Sequence, residues 1–166
     1  MILNINGEIT SKLLDKLVQG FNDFDQLENE AEKLTIYLNS IGGNPALGLI
    51  IVDMIDSRKN KITLIASDCI NSTAFEMFVL AQCDKKILAE TTGVYHCASR
   101  EIQINVNGKP KTPEDVLAME KLMNDKYFTL KVCNLTNMSD EEKYKILELC
   151  EDVTFSYERL KKILIM

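Results

Sequence analysis

The pattern that most restricts this chain is an unbroken alternation of β-rich apolar runs with segments whose apolar residues recur at helical spacing, undivided by any Pro-, Gly- or Ser-rich stretch. Residues 2–9 predict a first short strand, and 11–22 an amphipathic helix carrying Leu13, Leu14, Leu17, Val18 and Phe21. Leu34-Thr35-Ile36-Tyr37-Leu38 predicts a buried strand. Residues 39–43 follow as a turn, then a helix whose first turn suits Pro45 and whose inner face is Leu47, Ile50, Ile51, Met54 and Ile55. Further strands are predicted at 62–66, 86–88 and 94–96, with a helix over 72–82. Strands and helices taken in turn bury their apolar sides by layering, so the fold class is α/β, one domain over 1–166.

Beyond His96 the pattern changes. Ile102-Gln103-Ile104-Asn105-Val106 alternates apolar and polar residues, as a half-exposed strand does, and Asn107-Gly108 is a turn signal. Thr112-Pro113-Glu114-Asp115 caps a long helix to about residue 131. Ser139-Asp140-Glu141-Glu142 is a capping box that opens another helix, through 149. Residues 151–166 read as a loop and a short closing element.

Charge and cysteine usage exclude several functions. The net charge is −6 with acids and bases interspersed, which argues against a nucleic-acid partner and against an anionic membrane surface. The first residues carry no secretory signal and the apolar runs are too short to span a bilayer, so the expected location is cytoplasmic. Cys69, Cys83, Cys97, Cys133 and Cys150 are an odd number without a CxxC pair and read as reduced thiols used as small core residues. One histidine and scattered cysteines form no ligand-spaced cluster, so no metal and no other cofactor is expected.

Three features can carry chemistry. Gly42-Gly43, between a buried strand and a helix, lets the backbone bend and leaves amides uncovered; it reads equally as a plain tight connection. Asn71-Ser72-Thr73-Ala74-Phe75 lies where a strand leads into a helix. The Ser72 hydroxyl there is either a helix cap or a nucleophile at the positive end of the helix, with the Thr73 amide aimed at a developing oxyanion. Asn71 is a second candidate for the cap. His96 is the chain's sole imidazole, a core residue or the base of any imidazole mechanism. Glu148, Glu151 and Asp152 cluster on the late loop and could orient it, or simply face solvent.

In order and spacing these residues resemble the proteolytic subunit of the Clp protease. Leu38-Asn39-Ser40-Ile41-Gly42-Gly43 is similar to that family's Asn-Ser-Pro-Gly-Gly, and Gly48 and Asp53 also match. Counting from Gly43 without a gap places Ser72 on the nucleophile; Ala74-Phe75 falls on Gly-Ala-Phe, and Val94-Tyr95-His96 on Val-Met-Ile-His. Asp152, Ser156 and Glu158 resemble the closing segment. The resemblance covers about residues 2–160 and implies a Clp/crotonase-like spiral of ββα units.

It also implies a serine endopeptidase cleaving peptides or unfolded protein: Ser72 attacks, His96 moves the proton, and Asp152, or else Glu148 or Glu151, holds the imidazole. Gly43 and Thr73 amides would form the oxyanion hole, with Gly42, Ile102 and Ile104 along an extended substrate. The region 101–131 would join rings of a homo-oligomer. Ile41, Asp68, Ile70-Asn71 and Cys97-Ala98 depart from the family pattern. A one-residue shift puts Asn71 on the nucleophile and implies a catalytically silent scaffold; a crotonase-like acyl-CoA enzyme is a further alternative. The chain opens on its first strand, without the segment by which family members dock an ATPase. The expectation is therefore a phage-type or stand-alone relative, with ATPase partnership left open.

Overall fold

Runs of Ile and Leu become the middle of a sheet in the computed structural model, which describes residues 1–27, 32–97 and 107–164. The chain divides into two compact units, Met1–Tyr95 with Thr154–Met166, and His96–Val153. In the first, strands β1 (Ile2–Ile9), β2 (Leu34–Gly43), β3 (Ile62–Asn71), β4 (Asp84–Ile87) and β5 (Thr92–Tyr95) join β6 (Val153–Phe155) in a six-stranded sheet of order β1-β2-β3-β5-β6, with β4 beside β3. The pairs β1–β2, β2–β3, β3–β4 and β3–β5 are parallel. The fold is thus mixed α/β with a mainly parallel sheet, as the alternation predicts.

The helices of this unit are α1 (Ser11–Asp25), α2 (Pro45–Asp56), α3 (Thr73–Leu80) and, after the last strand, one spanning Tyr157–Ile163. Thr10 caps α1 by accepting from the Leu13 amide, and Asn44 caps α2 by accepting from Ala46 and Leu47, with Pro45 in the first turn. Ile36, Leu38, Ile51, Ile55, Leu64, Phe75 and Phe78 are fully buried between sheet and helices.

Several expectations need correction, among them the bounds of β3, β4 and α3, which the sequence placed at 62–66, 86–88 and 72–82. Residues 39–43 are strand, not turn: Glu8 pairs with Gly42 and Ile9 with Gly43, so the ladder to β1 continues past a register shift between Asn6 and Glu8. The glycines are needed for proximity. A Cβ on Gly43 would lie 2.6 Å from the Ile9 carbonyl oxygen and 2.7 Å from its nitrogen, at φ +143°. The inner face of α2 is Gly48, Ile51, Val52 and Ile55, while Ile50 is 45% exposed. The stripe turns toward Gly48 because α3 approaches there, the methyl of Thr73 standing 2.5 Å from where a Cβ would be. Finally, β5 stops at Tyr95, one residue before His96.

The second unit holds α4 (Pro113–Asn134) and α5 (Asp140–Leu147). Both open at the caps read in the sequence: Ser139 and Glu142 form the expected capping box, and Thr112, read as a cap, forms one as well with Asp115. The α5 helix ends at Leu147 rather than 149, and the chain then reaches Cys150 at φ 53°. Along α4, Thr129, Val132 and Cys133 are buried, whereas Val116, Leu117, Met123, Tyr127 and Leu130 are exposed. The strand expected at 102–106, with Ile102 and Ile104, lies outside the described residues. Residues 151–166, read as loop and closing element, supply β6 and the last helix, α6 (Tyr157–Ile163), whose Leu160 and Ile163 are buried.

Candidate active site

In the first unit the strand-to-helix junction is an elbow. β3 ends at Asn71, α3 starts at Thr73, and Ser72 between them has φ 51° and ψ −120°. That conformation is unfavourable for any residue with a Cβ and costs of order 1–3 kcal/mol, so it persists only where the surroundings fix it. They do. The Ser72 amide donates to the Val94 carbonyl at 2.7 Å, and its carbonyl accepts from the Glu76 amide at 3.1 Å. Behind it, Phe75 stacks between Tyr95 and Phe155 at centroid distances of 4.9 and 5.5 Å, while the Tyr95 hydroxyl donates to Glu76 at 3.0 Å.

Ser72 stands at the N-cap position, yet its side chain makes no capping hydrogen bond. The capping role weighed in the sequence therefore falls away for Ser72. Nor does Asn71 take it: its Oδ1 is buried and without a hydrogen-bond partner. The first-turn amides of α3, the positive end of its dipole, are left to other groups.

Gly42 is pressed against this elbow. A Cβ on it would lie 2.8 Å from the Asn71 carbonyl oxygen, 2.9 Å from Ser72 Cβ and 3.2 Å from the Thr73 nitrogen. Any side chain at 42 would cover the Thr73 amide, and glycine leaves it bare. The Gly42 N–H itself donates to the buried Ser40 hydroxyl at 3.1 Å, and the Thr73 hydroxyl donates to the Gly43 carbonyl at 2.9 Å. So Gly42, Gly43, Ser72 and Thr73 are brought together in one corner. Ser40, Phe75 and Tyr95, which help to hold that corner, show in the sequence only as members of the matched motifs, and Glu76 carries no sequence signal.

In the second unit His96 Nδ1 lies 3.5 Å from Asp152 Oδ1. This is ion-pair range and longer than a formed hydrogen bond. With side-chain exposures of 39% and 72% the pair is open to solvent, and its attraction is screened. Glu148 and Glu151 are exposed on the same late loop. A carboxylate against Nδ1 leaves Nε2 as the nitrogen to exchange a proton with a nucleophile, the division of labour of a serine triad. Among the described residues no group of His, Cys, Asp and Glu could hold a metal ion, and no helix is long and apolar enough to cross a membrane.

No curated protein matches the chain by sequence. Among solved structures, it is similar to the catalytic domain of the ClpP protease from Plasmodium falciparum, with a TM-score of 0.68 at 21% identity over 99% of this chain and 82% of that one. That likeness gives the fold: a ClpP catalytic-domain architecture. The family model described as Clp protease matches residues 1–141, a span that takes in the glycine corner, the elbow and His96, and on that match the chain belongs to the Clp protease family.

Proposed function

We propose that this protein is a serine peptidase of the Clp type, with Ser72 as nucleophile, His96 as general base and acid, and Asp152 as the group that holds the imidazole. The observation that carries the reading is the elbow: a serine held at φ 51°, at a helix entrance, with its hydroxyl unused as a cap. Strain maintained by so many contacts, with no capping gain, fits a residue whose position matters more than its stability.

In this reading Ser72 Oγ attacks a peptide carbonyl and His96 Nε2 takes the proton, then passes it to the leaving amine. Asp152 fixes the tautomer and stabilises the imidazolium. The Thr73 and Gly43 amides receive the oxyanion, where losing one donor lowers the rate by about 10²–10³. An extended substrate lies along Gly42. The exposed apolar side chains of α4 support a closed homo-oligomer, because Val116, Leu117, Met123, Tyr127 and Leu130 need a covering surface. The assembly works in the cytoplasm on peptides or unfolded protein.

The test is labelling of the purified protein with a fluorophosphonate and peptide mapping. Modification at Ser72, lost in His96→Ala while the circular dichroism spectrum is kept, is the expected result. A well-folded oligomer that takes no label would overturn the peptidase reading in favour of a silent scaffold.

A further inference from the structure

The second unit gathers three sulfurs around the candidate His96–Asp152 pair. Cys97, the residue after His96, is buried, with the Thr129 side chain of α4 and the Cys150 thiol beside it, and the 3.5 Å approach of His96 to Asp152 brings the two segments together. Cys150 lies two residues before Asp152, is partly exposed, and sits at φ 53°, a conformation that L side chains rarely adopt. Cys133 completes the group. It is fully buried and its thiol is pushed up to about 11, chiefly by burial, so it stays protonated and unreactive. All five cysteines are free in this structure. One thiol of the neighbouring pair is thus reachable from solvent, its partner waits behind it, and each is within two residues of a group that the proposed mechanism uses.

We propose that Cys97 and Cys150 are a reversible thiol–disulfide pair, a redox latch that ties the segment carrying His96 to the loop carrying Asp152. The oxidant is a peroxide. The Cys150 thiol attacks one peroxide oxygen, the O–O bond breaks, the departing oxygen leaves as alcohol or water with the thiol's proton, and a sulfenic acid remains. The Cys97 sulfur then displaces the sulfenic hydroxyl: the S–S bond forms, the S–O bond breaks, and the Cys97 proton leaves in water. Two thiols and one peroxide give one disulfide, one alcohol or water, and one water, with two electrons passed from sulfur to oxygen. A dithiol reverses the step by exchange.

The consequence for the site follows from geometry. Two neighbouring thiols must close to an S–S separation of about 2.05 Å to form the bond, so the backbone at 97, at 150 or at both moves by roughly an ångström or more. His96 and Asp152 ride on those segments, and a displacement of that size at a catalytic pair lowers turnover by about 10²-fold. The oxidised form is the silent one. This effect on turnover rests on the peptidase reading above; formation of the latch and its effect on His96 do not.

The test uses the full chain, treated with hydrogen peroxide and digested under non-reducing conditions. The expected result is a peptide pair linked through Cys97 and Cys150, two hydrogens lighter than the free pair, absent in Cys150→Ser and removed by dithiothreitol. His96 is the only histidine, so its ring gives one set of proton resonances. Those should shift on oxidation, return on reduction, and stay put in peroxide-treated Cys150→Ser. Should Cys97→Ser fail to fold, the half-exposed Cys150→Ser decides alone. Peroxide that takes Cys150 to sulfenic or sulfinic acid with no 97–150 link, or a link that leaves the His96 resonances unmoved, would overturn the proposal. Failure of the peptidase reading is visible separately, as absent fluorophosphonate labelling in the reduced protein.

Discussion

Replacing Gly48 by alanine sets helix propensity against packing, and the structure says which wins. In the interior of a helix, glycine to alanine ordinarily stabilises by about 1 kcal/mol. At Gly48 the added Cβ would stand 2.5 Å from Thr73 Cγ2 and 3.4 Å from Met77 Cγ, an overlap of more than about 1 Å against an ordinary carbon contact. Thr73 cannot yield cheaply. It is buried and β-branched, and its hydroxyl is committed to the Gly43 carbonyl at 2.9 Å. Rotating the methyl away breaks that bond, at about 0.5–1.5 kcal/mol, on top of about 1–3 kcal/mol of overpacking. Setting these against the propensity gain leaves a net loss of roughly 1–3 kcal/mol, or a melting temperature lower by about 2–12 °C for a chain of this size. Thermal denaturation followed by circular dichroism at fixed protein concentration measures it. The control is Thr73→Ser, which deletes the obstructing methyl and keeps the hydroxyl. In the double variant the overlap is gone and the alanine's propensity remains, so stability should return to within about 1 kcal/mol of wild type. A Gly48→Ala protein that melts higher than wild type, or a double variant as unstable as the sum of the singles, refutes the reasoning.

Two further outcomes follow from the same structure. Arg58 donates to both carboxylate oxygens of Asp25, to the Met54 carbonyl at 2.9 Å, and lies 5.0 Å over the Phe21 ring; its guanidinium hydrogen bond holds the Asp25 carboxyl below the usual range. With Asp25 half exposed the pair itself contributes at most about 1 kcal/mol. A depressed folded-state pKa gives stability that is present above the unfolded value near 3.9 and lost as pH falls through the folded one. Arg58→Met should therefore destabilise by about 1–2 kcal/mol at neutral pH, with the difference narrowing in acid; urea titrations at pH 7 and pH 3 check it, and a constant difference refutes it. At the elbow, Ser72→Gly removes the strain of φ 51° and should leave stability equal or higher by up to about 1 kcal/mol while abolishing labelling, whereas Ser72→Val should destabilise by more than about 2 kcal/mol. A glycine variant that melts well below wild type would show that the elbow is not strained.

Most strands and helices are legible in the sequence because they rest on local chemistry. Runs such as Leu34 to Leu38 have one burial solution, and Thr112 and Ser139 announce helix starts by hydrogen bonds with residues three positions on. What the sequence does not carry is set by non-local approach. Gly42-Gly43 looks like a turn until β1 lies alongside it, when the same glycines become the only residues thin enough for the ladder. Ile50 obeys the helical period as well as Ile51 does, and only the position of α3 decides which faces in. Ser72 as cap and Ser72 as elbow are indistinguishable in letters; the difference is one backbone angle, fixed by Val94, which accepts from the Ser72 amide, and by Tyr95 stacked on Phe75, both partners distant in sequence.

One departure from the family pattern is explained by the same reasoning. Asp68 stands where the family has glycine, a substitution that looks damaging if the glycine served flexibility. Here residue 68 has φ 61°, so the position asks for the left-handed region, and aspartate is among the few other residues that enter it at modest cost. Its carboxylate is then used: it accepts from the Asn39 side-chain amide at 3.1 Å, while the Asn39 oxygen accepts from the Cys69 amide at 3.4 Å. These bonds bridge β2 to β3 where their register slips between Leu38 and Ser40. Ile70, in place of a small alanine, pairs across the sheet with Gly93, where a Cβ would come within 3.3 Å of the Ile70 carbonyl oxygen. The irregular end of β3 therefore keeps its path with different letters, and that path aims the chain into the elbow at Ser72. At residue 68 the position requires a backbone conformation, and aspartate meets it as glycine would.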